Sequence, residues 1–218
     1  MSAFIVHSIP GSPFARSVMA TLEEKGASWT LVPLTPGTLR DPVHLQRHPF
    51  GRMPVLDHGG FQLYETQAIL RYLDRVLPEP ALTPADAHAA ARMDQVMNIN
   101  DWYLFQGCSN IIVFQRVIGP MLMDLEPDLG AIAEAMPRAK TVFGVLARLL
   151  GDKPWFAGDQ LTLADLLVGP QLELFARAPE WEELVVEAPN LTQFLARIEA
   201  RPAMQLTRME RLAALKAA

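Results

Sequence analysis

Apolar positions follow two different rhythms along the chain, and the change of rhythm divides it. Up to about residue 80, short apolar runs alternate with helical spacing. Phe4 to His7 is a short apolar run suited to a buried strand. Phe14, Val18 and Leu22 then repeat every four residues, the spacing of one helix face. Ser12 suits the cap of that helix, Pro13 its first position, and Gly26 the left-handed residue just past its end. Leu31-Val32-Pro33-Leu34 reads as a second strand, placed at an edge because proline has no N–H to give a ladder. Val55-Leu56-Asp57 and Phe61-Gln62-Leu63-Tyr64 flank His58-Gly59-Gly60 and predict a hairpin. A helix follows with Ile69, Leu70, Leu73 and Leu77 on its buried side. With a short helical or irregular segment near residues 42–48, the order is β-α-β, then β-β-α, a small α/β layer.

Beyond this the strand rhythm stops. Pro78, Pro80 and Pro84 among small residues mark a linker. Helical spacing then runs from Ala87 to about Met123, from Asp128 to Leu150, from Leu163 to Arg177 and from Leu191 to Ala200, with a last helix from about Ala203. The expected organisation is an α/β domain over residues 1–80, a linker over 81–87 and an all-helical domain over 88–218.

Composition narrows the function classes. Of 218 residues half are hydrophobic and a fifth charged, so a packed core is expected rather than disorder. The formal net charge of -5 supplies no field to gather nucleic acid or an anionic membrane. One cysteine, Cys108, allows no intramolecular disulfide and suits a reducing compartment. The N-terminal stretch Met1 to His7 lacks the basic and apolar regions of a secretory signal, and no run approaches about 20 apolar residues. The expected location is the cytoplasm.

Three segments carry candidate chemistry, each with a plain structural alternative. Ser12 caps a helix in either reading. A hydroxyl at a helix N-terminus, where free N–H groups gather, also donates to an anion and lowers the pKa of a thiol. Gly11 before it allows a ligand close to the backbone. Pro54 after Met53, at the start of a strand, is a trans proline in a loop or a cis proline that leaves the Met53 backbone free to pair with an extended peptide. Thr66 after Glu65 caps a helix, or the same helix start holds a carboxylate while Glu65 pairs an ammonium.

Together the three resemble the cytosolic glutathione transferases. The carrying residues are Gly11-Ser12-Pro13-Phe14-Ala15-Arg16, Leu22-Glu23-Glu24-Lys25-Gly26, His48-Pro49-Phe50-Gly51-Arg52-Met53-Pro54-Val55 and Glu65-Thr66-Gln67-Ala68-Ile69. They look most like the serine-type enzymes of the phi and related bacterial groups. Gly158-Asp159-Gln160-Leu161-Thr162-Leu163-Ala164-Asp165 is similar to the family's buried capping motif, with Thr162 and Asp165 as a capping box.

The resemblance implies a thioredoxin-like domain that binds glutathione, followed by a helical domain that shapes the second-substrate pocket. It implies that Ser12 stabilises the glutathione thiolate, that Met53 beside cis-Pro54 pairs with the cysteinyl unit, and that Glu65 and Thr66 hold the γ-glutamyl end. Arg40 falls where phi-type enzymes carry a lysine for the glycyl carboxylate, and Arg52 where they carry a glutamine. Leu39 stands in place of the usual histidine, and Thr66 in place of the usual serine. Phe14, Tyr103, Gln106 and Phe114 are assigned to the second-substrate pocket, although aromatics at helical spacing are more often core. Met93, Met97, Met121 and Met123 suit an adaptable apolar cavity or an ordinary core. The implied activity is addition of the glutathione thiolate to an apolar electrophile by a homodimer, with glutathione as co-substrate and no metal. Two alternatives stay open: a non-enzymatic binding member of the same fold, and a specialised glutathione-dependent dehalogenase, isomerase or peroxidase.

Overall fold

A computed structural model describes residues 3–214. Met1 and Ser2, part of the stretch read above for a signal, and residues 215–218 lie outside the described residues. The chain forms two compact units. The first takes residues up to Leu82 together with those from Ala200 on, and the second takes Thr83–Glu199. The sequence had assigned everything after residue 88 to one helical domain. The last helices instead pack with the first unit, where the buried Arg16 donates from Nη2 to the Met204 carbonyl at 2.9 Å and Arg201 pairs with Glu24 at 2.6 Å. Such long-range returns leave no local pattern.

The first unit is built on a four-stranded sheet of order β2-β1-β3-β4. Its strands are β1 (Phe4–Ser8), β2 (Trp29–Pro33), β3 (Val55–His58) and β4 (Phe61–Tyr64). β1 runs parallel to β2 and antiparallel to β3, and β3 runs antiparallel to β4. Pro33 does lie on the edge strand, at its last pair with Ser8. Three helices complete the α/β layer: α1 (Pro13–Glu24), α2 (Pro42–Arg47) and α3 (Thr66–Val76). α1 ends in a Schellman motif around Gly26, whose φ is 62°, with Ala27 N–H bonded to Leu22 C=O and Gly26 N–H to Glu23 C=O. This is the thioredoxin-like arrangement expected. Leu77, expected on the buried face of α3, is only half-buried.

The second unit is all helical: α4 (Ala87–Ile99), α5 (Asn110–Val113), α6 (Gly119–Met123), α7 (Leu129–Leu150), α8 (Leu163–Phe175), α9 (Glu180–Val185) and α10 (Pro189–Glu199). The segments Asn100–Ser109 and Phe114–Ile118 are π-helical, so the single helix expected from Ala87 to Met123 is interrupted twice. α9 was not anticipated. The residues from Ala200 onward form α11 (Pro202–Leu206) and α12 (Met209–Ala214). Thr162 and Asp165 form the expected capping box at the start of α8. The buried Asp165 carboxylate accepts from Phe156 N–H at 2.8 Å, Thr162 N–H at 2.8 Å and the Thr162 hydroxyl at 2.7 Å. Among the described residues no helix is long and apolar enough to cross a membrane.

Candidate functional site

The sheet register aligns the ends of three strands. His7 pairs with Val55, and Val55 pairs with Tyr64. The segments that leave this row are therefore neighbours: the turn from β1 to Ser12, the Met53-Pro54 step before β3, and Glu65-Thr66 after β4. Candidate residues more than 50 positions apart in sequence meet at one end of one sheet.

Ser12 caps α1, and its Oγ accepts from Ala15 N–H at 3.4 Å. Accepting leaves the hydroxyl proton available to a second partner. Gly11 has φ of 96°, a conformation that glycine tolerates. The side on which a Cβ would stand is filled by Met209, whose Sδ would come within 2.8 Å. The glycine thus serves the turn and the packing of α12.

Met53-Pro54 is a cis peptide. Met53 lies just outside the ladder that begins at Val55, so its backbone is not spent on the sheet. Its side chain turns inward. The Sδ accepts from Ile9 N–H at 3.2 Å and from the Ser8 hydroxyl at 3.4 Å, tying this loop to the end of β1. Pro54 is buried and Arg52 is exposed. Arg40, also exposed, ends a 3₁₀ turn over Thr38–Arg40, and its side chain lies against Gly51.

Glu65 is exposed and has φ of 70°. It occupies the cap position of α3, and no side chain caps that helix. Thr66 is the first helical residue and not the cap, which corrects the sequence reading. The backbone there is left-handed at a non-glycine residue, a strain found most often at functional sites.

The thiol of Cys108 is no candidate. Burial pushes it up to about 12, and its S–H donates to Leu104 C=O at 3.1 Å. Tyr64 and Tyr72 are half-buried. The Tyr72 hydroxyl bonds His58 Nδ1 at 2.8 Å.

In the second unit Tyr103 and Gln106 sit on the first π-helical segment, and Tyr103 is 61 % exposed. Trp102 beside it is 67 % exposed, so these two aromatics are not core. Phe114 is half-buried on the second π segment, and in the first unit Phe14 is half-buried in α1. Of the four methionines, Met93 and Met97 are core, while Met121 and Met123 are exposed.

Sequence comparison agrees with this geometry. Residues 6–81 match the glutathione S-transferase N-terminal domain and residues 110–202 the C-terminal domain. Glutathione S-transferase 4 of Zea mays is 31% identical over 194 residues, 88% of this chain and 86% of its own. The chain belongs to the glutathione S-transferase family. A crystal structure of glutathione transferase F2 from Populus trichocarpa shares the fold of this transferase. Its TM-score is 0.85 at 24% identity, over 96% of this chain and 99% of that one. Glutathione S-transferase-I, solved with the ligand lactoylglutathione, has a TM-score of 0.82 at 26% identity, over 94% of this chain and 98% of that one.

Local sequence reasoning missed two features of the site: the inward Met53 sulfur, and a buried histidine, His44, that bonds the Arg52 carbonyl at 2.8 Å. Nothing in the residues around His44 marks it in the sequence, because its burial and its partner are set by the fold.

Proposed function

We propose that this transferase joins the sulfur of glutathione to an apolar electrophile. The observation that carries the reading is Ser12 at the N-terminus of α1. Its Oγ is engaged as an acceptor by Ala15 N–H, which leaves its proton to donate. The thiol of bound glutathione loses its proton to solvent, and the thiolate is held by the Ser12 hydroxyl and the helix end. The sulfur then attacks an electrophilic carbon and a C–S bond forms; a halide leaving group departs with its electron pair, while in an epoxide or isothiocyanate the pair moves onto the substrate's own oxygen or nitrogen, which takes a proton from solvent.

Met53 pairs its backbone with the cysteinyl unit, Glu65 and Thr66 take the γ-glutamyl end, and Arg40 and Arg52 face the glycyl carboxylate. Tyr103, Gln106 and Phe114 are assigned to the apolar substrate, a reading supported by the solvent-facing Tyr103 and Gln106. Phe14 is assigned the same role. The enzyme acts as a homodimer in the cytoplasm, which sedimentation and cell fractionation test. Purified protein incubated with glutathione and a panel of halonitroarenes, epoxides and isothiocyanates should yield S-conjugates by mass spectrometry, thioethers from the first two classes and dithiocarbamates from the third. No product with any class, above the uncatalysed rate, overturns the proposal.

A further inference from the structure

The buried side of α2 reaches the loop that carries Met53. His44 and His48 lie four residues apart and both point inward, with 3% and 2% of their surfaces exposed. His44 Nε2 lies 2.8 Å from the Arg52 carbonyl oxygen. A carbonyl only accepts, so Nε2 carries the proton. Nδ1 is buried with no hydrogen-bond partner among the described residues, so Nε2 is the ring's one anchored nitrogen.

The Arg52 carbonyl belongs to the same peptide unit as the Met53 N–H. A peptide unit is planar, and when trans its C=O and N–H point in opposite directions. The Arg52-Met53 bond is not among the cis peptides. Fixing the oxygen on His44 therefore fixes the direction of the Met53 N–H, and it turns that N–H away from α2. Donation to the carbonyl also polarises the amide and strengthens its N–H as a donor. On its other side the loop is held by the Met53 sulfur on Ile9 N–H. His48 packs with its ring tilted 35° against that of Tyr64, the residue before Glu65, at 4.7 Å between ring centres.

We propose that His44 is a positioning residue for glutathione, aiming the Met53 N–H at the tripeptide through the shared Arg52-Met53 peptide. The inference rests on the glutathione-binding role proposed for Met53. It assigns His44 no contact with the ligand and no part in activating the thiol.

The test compares wild type, His44→Phe and His44→Gln, the last keeping an N–H donor of similar reach. For His44→Phe the glutathione Kd by calorimetry and the KM for glutathione should rise about tenfold, the loss of roughly one hydrogen bond. The kcat, the KM for the electrophile and the pKa of the bound thiol should stay near wild type. His44→Gln should recover most of the affinity. A lower melting temperature with unchanged glutathione Kd in His44→Phe makes His44 merely structural and overturns the inference. Should His44→Phe not fold, the wild type still decides. On saturation with glutathione the Met53 amide proton should move downfield, and an unmoved Met53 beside shifted Ser12 and Glu65 signals overturns the inference. Absence of any glutathione binding by wild type defeats the functional reading itself, a separate result.

Discussion

Gly51 and Arg40 are in contact, and only a glycine allows it. A Cβ at Gly51 would stand 3.0 Å from Arg40 Cδ and 2.8 Å from the Leu39 carbonyl oxygen, and Gly51 has φ of 60°. Gly51→Ala should therefore destabilise the protein by at least about 1 kcal/mol, read as a lower urea midpoint. It should also displace Arg40. Glutathione affinity should then fall more than affinity for γ-glutamylcysteine, which has no glycyl carboxylate. Equal losses for the two ligands by calorimetry would show that Arg40 does not read the glycyl end.

Glu65 holds a left-handed backbone that glycine adopts freely. Glu65→Gly relieves that strain but adds chain entropy to the unfolded state. The two effects are each about 1 kcal/mol and oppose each other, so stability should change by less than about 1 kcal/mol. Glutathione affinity should nevertheless fall at least about tenfold, because a charged hydrogen bond of roughly 1.5–3 kcal/mol is lost. A glutathione analogue lacking the α-ammonium should feel the substitution much less. Equal losses would show that Glu65 does not pair with the ammonium.

The parts of the fold that could be read from the sequence are those fixed by near neighbours. The Ser12-Pro13 helix start, the Gly26 stop, the Gly59-Gly60 hairpin and the Thr162/Asp165 box each depend on residues within about five positions. The candidate site was legible only in pieces. Ser12, Met53 and Glu65 were brought together by family resemblance, since the register His7–Val55–Tyr64 that aligns them is a property of the sheet. The φ of Glu65, the Met53 sulfur on Ile9 and the His44–Arg52 bond have no local signature. The π-helical segments hide for a different reason. Their wider i→i+5 bonding leaves an apolar pattern too close to the α-helical one to separate.

Acid should weaken the fold through two buried histidines. Burial, then Arg47, lowers the pKa of His7 despite the opposing Asp57; burial, then His44 and Arg52, lowers that of His48. Both start from an ordinary value of 6.5. A lowered folded pKa means that the unfolded chain takes up protons first. Their contribution to stability is thus whole above pH 6.5 and is lost as the pH falls through the folded values. His48→Asn should flatten the decline of the urea midpoint between neutral and mildly acidic pH. An identical slope in the variant would show that His48 has the same pKa in the folded protein as in the unfolded chain.

Asp165 should act in the opposite sense. Burial raises its pKa from 3.8 to about 6, although the bonds from Phe156 and Thr162 pull it down. A raised folded pKa means that the folded chain keeps its proton longer. The Asp165 contribution is therefore whole below 3.8 and declines as the pH rises through about 6. Asn mimics the protonated acid, so Asp165→Asn should gain stability relative to wild type as the pH rises from acid to neutral. Asp165→Ala removes all three bonds and should cost about 1–2 kcal/mol or more at any pH. Glutathione affinity of the folded fraction should hardly change in either. A stability gap between Asp165→Asn and wild type that ignores pH would refute the raised pKa.

Ser12 decides the chemistry. Its Oγ accepts the Ala15 N–H at 3.4 Å, a long bond, so the cap itself is weak. No described side chain is seen to take its proton, so it should not act as a base. It donates instead to a thiolate that the N-terminus of α1 already favours. Ser12→Ala keeps the helix at a cost of about 1 kcal/mol and leaves the tripeptide's other contacts in place. The glutathione Kd should therefore rise only modestly. The bound thiol loses one charge-assisted hydrogen bond of about 1.5–3 kcal/mol, so its pKa should rise by about one unit or more. The sign follows from which form the hydroxyl stabilises: the bond favours the thiolate, so removing it favours the thiol. The pH–rate curve for conjugation should move alkaline by the same amount, and the rate at neutral pH should fall at least about tenfold. Ultraviolet titration of the thiolate in the enzyme–glutathione complex measures the shift directly. An unchanged thiol pKa in Ser12→Ala would reduce Ser12 to a helix cap and move the search for the activating donor elsewhere.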